Sequence, residues 1–405
     1  MRVFSFRPAL KLHTLNHYRG LANTFGAFQS YYQDNLLAGY SPSAIAWIGT
    51  TQGFLVNVVG VVSGRIYDLG YIKPLLYFGM FFNVLGLVTA SFATTYVSIF
   101  LSLGVCVGLG SGSFYVPSLA IISSYFTTKR PLAISISANG ASIGGIIYPI
   151  LFRVLVERIG FVWVCRIFAC MNACLLLISI FLISPRVVST TQHKFFDPTA
   201  FRDLLYILFG AVLFLLWIGV DVPLFFIPTF VQSSLGLSAQ LGDYLLAAMN
   251  ASSIFGRILL GLLAVYFGSF GVWQISIGAS CILLACWAAI SSLPGIITFV
   301  VLYGFFISGA QSLPVSVLMV ISSELDLVGT RLGMSSVLAG LGFLIGPPIA
   351  SAIQNSPAGY AGQSAFTGSV YLTAFGVVGL IFWLHKRRSR RQASNAEEEL
   401  NSASV

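Results

Sequence analysis

The chain has 405 residues, of which 57% are hydrophobic and 8% charged, against roughly 25% charged in soluble domains. That composition excludes the two or three water-soluble domains that the length alone would suggest. The net charge of +9 does not call for nucleic acid, because the basic residues stand in turns between apolar blocks and in the tail, where membrane topology places them.

Residues 1–19 carry Arg2, Arg7, Lys11 and Arg19 and no acid. They lack the apolar core of a secretory signal and read as a polar, cytoplasmic N-terminal segment; a mitochondrial presequence is the other reading of such a leader. Apolar blocks then follow at 20–38, 44–66, 74–95, 97–124, 131–154, 160–184, 204–232, 242–266, 271–292, 295–322, 331–354 and 365–385. Each is near the roughly 20 residues that cross a bilayer as a helix. They predict twelve spans, the first of them poor, with both termini on one side.

Charge orients them. Arg65, Lys73, Lys129, Arg130, Arg186, Lys194, Arg202, Arg331 and the run Lys386, Arg387, Arg388, Arg390 and Arg391 fall on one side, and Arg153 and Arg158 on the other. The first side is therefore expected to be cytoplasmic, in a multi-pass protein of the plasma membrane. Residues 20–184 and 204–385 form two six-span bundles, and 185–203 link them on the cytoplasmic side. The tail, 386–405, is basic and then acidic at Glu397, Glu398 and Glu399, and is expected to be disordered. The six cysteines lie inside apolar blocks. Cys170 and Cys174 share a helix face, but no His or acid joins them, so small packing residues are expected and no metal or other cofactor. The triplet Asn250-Ala-Ser252 lies inside span eight and should carry no glycan.

The stretch from Gly108 to Pro149 holds two apolar segments rich in Gly, Ser and Ala around the turn Lys129-Arg130. Small residues let membrane helices approach closely. A shift of 197 residues aligns the halves of the chain. Ser41 meets Ser238, Gly64 meets Gly261, and Ser111, Gly112 and Pro117 meet Ser308, Gly309 and Pro314. A shift of 198 pairs Gly144 and Pro149 with Gly342 and Pro347. Six spans per half make this a parallel repeat, as in major-facilitator transporters. The expected fold is all-α: a twelve-span major-facilitator fold of two pseudo-symmetric six-helix bundles. The repeat pairs the apolar opening of span seven with the polar Phe6–His17, so the first helix is incomplete.

The run Tyr125-Phe126-x-x-Lys129-Arg130-x-Leu132-Ala133, followed by Ala138-x-Gly140-Ala-Ser-x-Gly144-Gly145, resembles the span-five signature of the monocarboxylate porter branch of the major facilitator superfamily, in its fungal form. Asn23–Tyr32, Trp47-Ile-Gly, Gly64-Arg-Ile-Tyr-Asp68-x-Gly70 and Ser253-Ile-Phe-Gly-Arg257-Ile-Leu are similar to the fungal members too. The resemblance runs from Asn23 to span twelve. It implies secondary transport of a small organic molecule. Three departures stand out. The acidic opening of span one and its lysine are absent, Ser253 stands where animal members have an aspartate, and Val265 replaces the aspartate of the second Gly-Asp motif.

Gly64 and Asp68, one helical turn apart at the inner end of span two, form a gating motif with Lys73, Lys129 and Arg130 on the inner face. Gly64 permits close helix approach, and Asp68 can cap a helix or pair with a basic residue when the inner gate is shut. The other reading of Asp68 is a solvated loop acid. Asp221 lies deep in span seven beside Pro223, where an acid costs roughly 3 kcal/mol to insert. It reads either as a proton or substrate site or as an acid hydrogen-bonded for packing. Arg257 can bind an anionic group or snorkel to the interface. Thr24, which the repeat pairs with Asp221, joins Gln29, Asn139 and Gln311 as polar candidates in cavity-lining helices. Arg166 is expected to pair near the outer face, with Glu157 as a candidate.

No phosphate-binding loop suggests a primary pump, and no paired acids, Ser/His dyad or metal cluster suggests an enzyme. The expected activity is secondary active transport of a small organic molecule by a monomer in the bilayer, with efflux of a secondary metabolite as the leading form. Proton-coupled uptake of a monocarboxylate or vitamin-like solute, anionic in that case, is the alternative. A non-transporting or decayed paralogue is the second alternative.

Overall fold

The computed structural model describes residues 20–21, 24–125, 130–182, 197–322 and 328–403. The helices are α1 (Phe25–Tyr31), α2 (Pro42–Asp68), α3 (Ile72–Ala90), α4 (Tyr96–Ile99), α5 (Val107–Tyr125), α6 (Arg130–Ile159), α7 (Phe161–Leu182), α8 (Leu204–Gly219), α9 (Val222–Ser233), α10 (Ala239–Phe267), α11 (Ser269–Cys286), α12 (Leu293–Ser312), α13 (Pro314–Ile321), α14 (Val328–Gln354) and α15 (Gly359–Ala403). Two π-helical turns, Tyr32–Leu36 and Phe100–Cys106, extend α1 and join α4 to α5. α4 and α5 together make span four, α8 and α9 span seven, and α12 and α13 span ten. Among the described residues, eleven helical segments are long and apolar enough to cross a bilayer. Of the first span, the described residues hold α1 and its π turn, which ends at Leu36. The polar stretch paired with the start of span seven, Phe6–His17, lies outside the described residues.

The repeat read from the sequence has a structural counterpart at the helix ends. Ser41 and Ser238, 197 residues apart, cap α2 and α10 from the same extended backbone, accepting from the N–H of Ala44 and Leu241. Thr95 and Ser292, also 197 apart, cap α4 and α12 in the same way. Such caps satisfy N–H groups that a helix start leaves open. Gly70 and Gly268 follow α2 and α10 with φ of 87° and 85°, a conformation that glycine adopts without a Cβ penalty. Packing repeats as well. α2 lies on α5 as α10 lies on α12; α3 lies on α5 and α7 as α11 lies on α12 and α15.

Across the halves, α2 packs on α14, α6 on α10 and α1 on α9. These seams are tight because small residues face a neighbour's backbone or side chain. A Cβ added to Gly26 in α1 would overlap the Leu224 carbonyl oxygen of α9. One added to Gly145 in α6 would stand 2.5 Å from the Asn250 side chain of α10. Ser43 donates to the Pro348 carbonyl at 2.9 Å, and Gln232 to the Ser30 hydroxyl at 3.3 Å.

At the end of the molecule that carries the basic loops, the last residues of the linker are tucked in rather than solvated. Asp197, 2% exposed, caps the 3-10 turn Pro198–Arg202 and accepts from the Thr199 N–H at 3.0 Å. Its other oxygen accepts from Arg331 Nε of α14 at 2.9 Å. Arg331 lies over the Tyr206 ring at 5.8 Å, and its backbone carbonyl accepts from the Tyr206 hydroxyl at 3.0 Å. Asp203 lies 3.9 Å from Arg331 and 3.8 Å from Arg388. Burial alone would raise the Asp197 carboxyl, but hydrogen bonds from Thr199 and Arg331 outweigh it and hold the group below its usual range.

Two expectations are corrected here. The tail expected to be disordered continues α15 as helix through Ala403, because Lys386 onward is dominated by good helix formers and holds no Gly or Pro. Glu157 does not pair with Arg166. It takes Arg153, one turn earlier on its own helix, at 2.8 Å. Arg166 instead lies 4.9 Å from both the Phe92 and Trp163 rings and donates to Ser91 at 3.4 Å.

Gly26→Ala should destabilise the protein by roughly 1–3 kcal/mol, the usual effect of overpacking. Gly376→Ala, where an added Cβ meets nothing within 4 Å, should not; thermal unfolding of both variants in one detergent compares them. Asp197→Asn leaves the buried Arg331 with a neutral acceptor and the more distant Asp203 carboxylate, a loss bounded by the about 3–5 kcal/mol of a broken buried pair. Since the carboxyl is depressed in the folded state, its contribution is complete above the unfolded value near 3.9 and lost as pH falls through the lower folded value. The gap in melting temperature between wild type and Asp197→Asn should therefore close in acid and stay constant from about pH 5 upward.

Candidate functional site

A cavity of about 90 Å³, partly open to solvent, lies between the two halves. Gly53, Val56 and Asn57 of α2, Ser111 of α5 and Ala141 of α6 line it from the first half. Trp217, Asp221, Leu224, residues of α10 and α12, and Phe343 line it from the second. Apolar walls with a few convergent polar groups are what a small-molecule site offers.

Asp221 stands where span seven breaks. α8 ends at Gly219 and α9 begins at Val222. Pro223 has no N–H to give the Gly219 carbonyl, four residues back, so the regular ladder stops there. Two buried tyrosines serve carbonyls around the break: Tyr303 of α12 donates to Val220 at 2.8 Å, and Tyr371 of α15 to Leu216 at 3.3 Å. The Asp221 side chain caps no N–H of α9 and faces the cavity, half-buried.

Arg257 of α10 is 7% exposed and sits in the cavity wall. Its Nη1 donates to the Ala138 carbonyl of α6 at 3.2 Å and to the Ser142 hydroxyl. Its Nη2 donates to Oε1 of Gln311 in α12 at 3.3 Å. The Ser142 and Ser253 hydroxyls are 2.8 Å apart, and Ser253 donates to the Asn250 carbonyl at 2.7 Å. With that proton committed, Ser142 donates to Ser253. Ser253 thus enters the same network through its hydroxyl. The guanidinium belongs to the second half and two of its partners to the first, so this network ties the halves together beside the cavity.

The structure brings Asp221, Arg257 and Gln311 to one cavity. Thr24 is buried, donates to the Gly20 carbonyl at 2.8 Å and does not line it. Gln29 and Asn139 are buried and stand outside the lining as well. Both amide atoms of Gln29 and Oδ1 of Asn139 lack a hydrogen-bond partner among the described residues. Gly64 faces Val116 of α5, where an added Cβ would come within 2.7 Å of that side chain. Asp68 closes α2, Lys73 is exposed in the first turn of α3, and Arg130 opens α6. Lys129 lies outside the described residues.

Asn57, Asn250, Trp217 and Phe343 also line the cavity and were not singled out from the sequence for this role. A lone amide inside a span was the available signal for the two asparagines. Asn250, met earlier only in a glycosylation-like triplet, is buried and donates to Leu246 at 3.0 Å. Trp217 and Phe343, edge to face at 6.0 Å, are indistinguishable in sequence from aromatic residues that pack in the core.

Comparison with known proteins agrees with this arrangement. Residues 3–330 match the family model of the Major Facilitator Superfamily. Among similar proteins, an MFS-type transporter (dbaD) of Emericella nidulans is 33% identical over 334 residues, 82% of this chain and 75% of that protein. The aspyridones efflux protein of the same organism is 31% identical over 354 residues, 87% of this chain and 72% of that protein. The fujikurins efflux protein of Gibberella fujikuroi is 33% identical over 367 residues, 89% and 78% of the two chains. Among solved structures, the human organic anion transporter MFSD10 has the same fold at 14% identity and a TM-score of 0.68, with 92% and 98% of the chains covered. The nucleoside transporter NupG, solved as a point mutant, does so at 17% identity and the same TM-score, with 94% and 99% covered. With its all-helical membrane fold, its central cavity and this similarity over most of its length, the chain belongs to the Major Facilitator Superfamily and is a transporter, not an enzyme.

Proposed function

We propose that the protein exports a fungal secondary metabolite by alternating access, as a monomer of the monocarboxylate porter branch in the plasma membrane. Both termini then face the cytoplasm. The observation that carries this reading is the cavity between the halves, which holds one acid, one arginine and the Trp217–Phe343 pair. Such a wall suits a solute with a flat apolar body and polar substituents. Relatives named as efflux proteins for aspyridones and fujikurins support export, and the side-to-side imbalance of basic residues supports the orientation.

In this reading the bundles of residues 20–184 and 204–385 rock about the cavity, and the Arg257 network must break and re-form as they move. Asp221, at the broken helix, senses solute or proton at the centre of the path. Asp68, Lys73, Lys129 and Arg130 bias the inner gate. Thr24, Gln29 and Asn139 act from behind the cavity wall, orienting the helices that line it. An anionic solute would be drawn toward Arg257.

Deleting the gene should raise the ratio of inside to outside concentration for at least one metabolite, read by untargeted mass spectrometry of cells and medium. Unchanged ratios for every metabolite would sink the export reading. In a strain carrying the intact gene, Asp221→Asn should lower export about tenfold, the equivalent of about 1.4 kcal/mol, and flatten its dependence on external pH. Full, pH-dependent export would remove the proton role. Asp68→Ala should lower export while the amount of protein in the membrane stays constant, checked by immunoblot of the membrane fraction.

A further inference from the structure

The far end of α15 divides its basic residues between two sides. Lys386, Arg387, Arg388 and Arg390 follow the apolar part of the helix without a break and are exposed. Arg388 is turned to the protein, 3.8 Å from Asp203 at the end of the linker. Successive helical residues turn by about 100°, so Lys386, Arg387 and Arg390 fall in one sector about 120° wide, and Arg388 falls outside it. Among the described residues none of those three has a carboxylate within 4.0 Å. Arg387 lies over the Trp383 ring, one turn back, at 5.4 Å.

Followed back along α15, the same sector holds Leu372, Leu380 and Trp383, which are 62%, 43% and 55% exposed. It is a side of α15 that the neighbouring α8, α11 and α14 leave uncovered. In a bilayer such an apolar stripe meets acyl chains, and its tryptophan sits at headgroup level. Other aromatic residues mark the same level. Phe270 of α11 stacks on His385 at 5.8 Å, and the exposed Tyr266 and Phe267 stand at the turn just before it. Lys386, Arg387 and Arg390 begin about 4–11 Å past Trp383 along the axis. Helical side chains lean toward the N-terminus, here back toward the bilayer, so these cations reach the headgroup layer, which is roughly 5–8 Å deep. Topology alone asks only that cations stand at this end. It does not ask that three of them continue the lipid-facing stripe while the fourth turns to a carboxylate.

We propose that this side of α15 binds an anionic phospholipid of the adjoining leaflet, with the phosphate among Lys386, Arg387 and Arg390 and an acyl chain along Leu372, Leu380 and Trp383. Guanidinium groups hold phosphate through paired, charge-assisted hydrogen bonds. The Trp383 ring places Arg387 for that contact. Lys386 and Arg390, one turn apart, repel each other, and an anion between them offsets the repulsion. The lipid would brace the end of the helix that Arg388 ties to the linker, whichever way solute moves.

Native mass spectrometry of the full chain, released from nanodiscs of equal parts phosphatidylserine and phosphatidylcholine, tests this. The wild type should retain phosphatidylserine over phosphatidylcholine by about tenfold or more, since each cation at an anionic surface contributes about fivefold. Arg387→Gln should lower that ratio about fivefold, and the triple variant Lys386→Gln, Arg387→Gln, Arg390→Gln about tenfold or more. Arg388→Gln, which removes the same charge from the other side of the helix, should leave the ratio within about twofold. Soluble glycerophosphoserine, which has the headgroup without the acyl chains, should not displace the lipid. A wild type without the preference, a triple variant that keeps it, or an Arg388→Gln chain that loses as much as Arg387→Gln overturns the proposal. So does displacement by glycerophosphoserine, which would leave an anion site without a lipid, or a wild type that ignores both lipids but binds a polyglutamate peptide, which would assign the surface to an acidic protein.

Discussion

Inside a bilayer no water is at hand to satisfy a backbone N–H or C=O, so each must find its partner within the protein. This structure departs from regular helix in few places, and at each one neighbouring groups stand in. Where Pro223 interrupts span seven, Tyr303 and Tyr371 reach from two other helices to nearby carbonyls. Where span ten breaks at Leu313, the backbone N–H of Leu313 still reaches Gly309 and that of Val317 reaches Leu313. The two π turns keep their bonds within the chain. One such irregular place, Asp221, borders the cavity.

The same constraint explains where the halves touch. Lipid gives helices no hydrophobic reason to associate, so contact area and interhelical hydrogen bonds must do so. The seams answer with small residues, with a serine bonding to a carbonyl across the gap and with an amide bonding to a serine hydroxyl. The Arg257 network is the most polar of these ties. It sits beside the cavity, so whatever enters there lies next to the bonds that hold α10 against α6. At the basic end the Asp197–Arg331 pair fastens the end of the linker to the second half alone. It anchors the linker without bridging the halves.

Much of this was legible in the sequence because hydropathy and spacing survive without tertiary context. Ser41 and Ser238, matched by a shift of 197, are equivalent caps in the structure. Asp221 and Pro223 marked the broken helix, and Gly64 marked a close approach. The rest depended on which side of a helix faces which neighbour. A polar residue in a span says that it must find a partner, not which one. Arg257 reads in the sequence as an anion site or an interface residue, and the sequence does not show the groups of α6 and α12 that it bonds beside the cavity. Glu157 was matched to the wrong arginine because Arg153, one turn away, was nearer than any residue on the next helix.

The closeness of Gly26 to Leu224, and of Gly145 to Asn250, has a mechanical side. Interlocked side chains must leave their rotamer wells before two surfaces can shift, and each such excursion is of order 0.5–1.5 kcal/mol. A glycine presents no knob to disengage. Where it meets a neighbouring helix, that helix can tilt or slide with little ratcheting, and resistance falls mainly on the hydrogen bonds. The seams then behave as low-friction bearings fitted with a few electrostatic catches, so the timing of motion is set by the catches and its direction by the bearings.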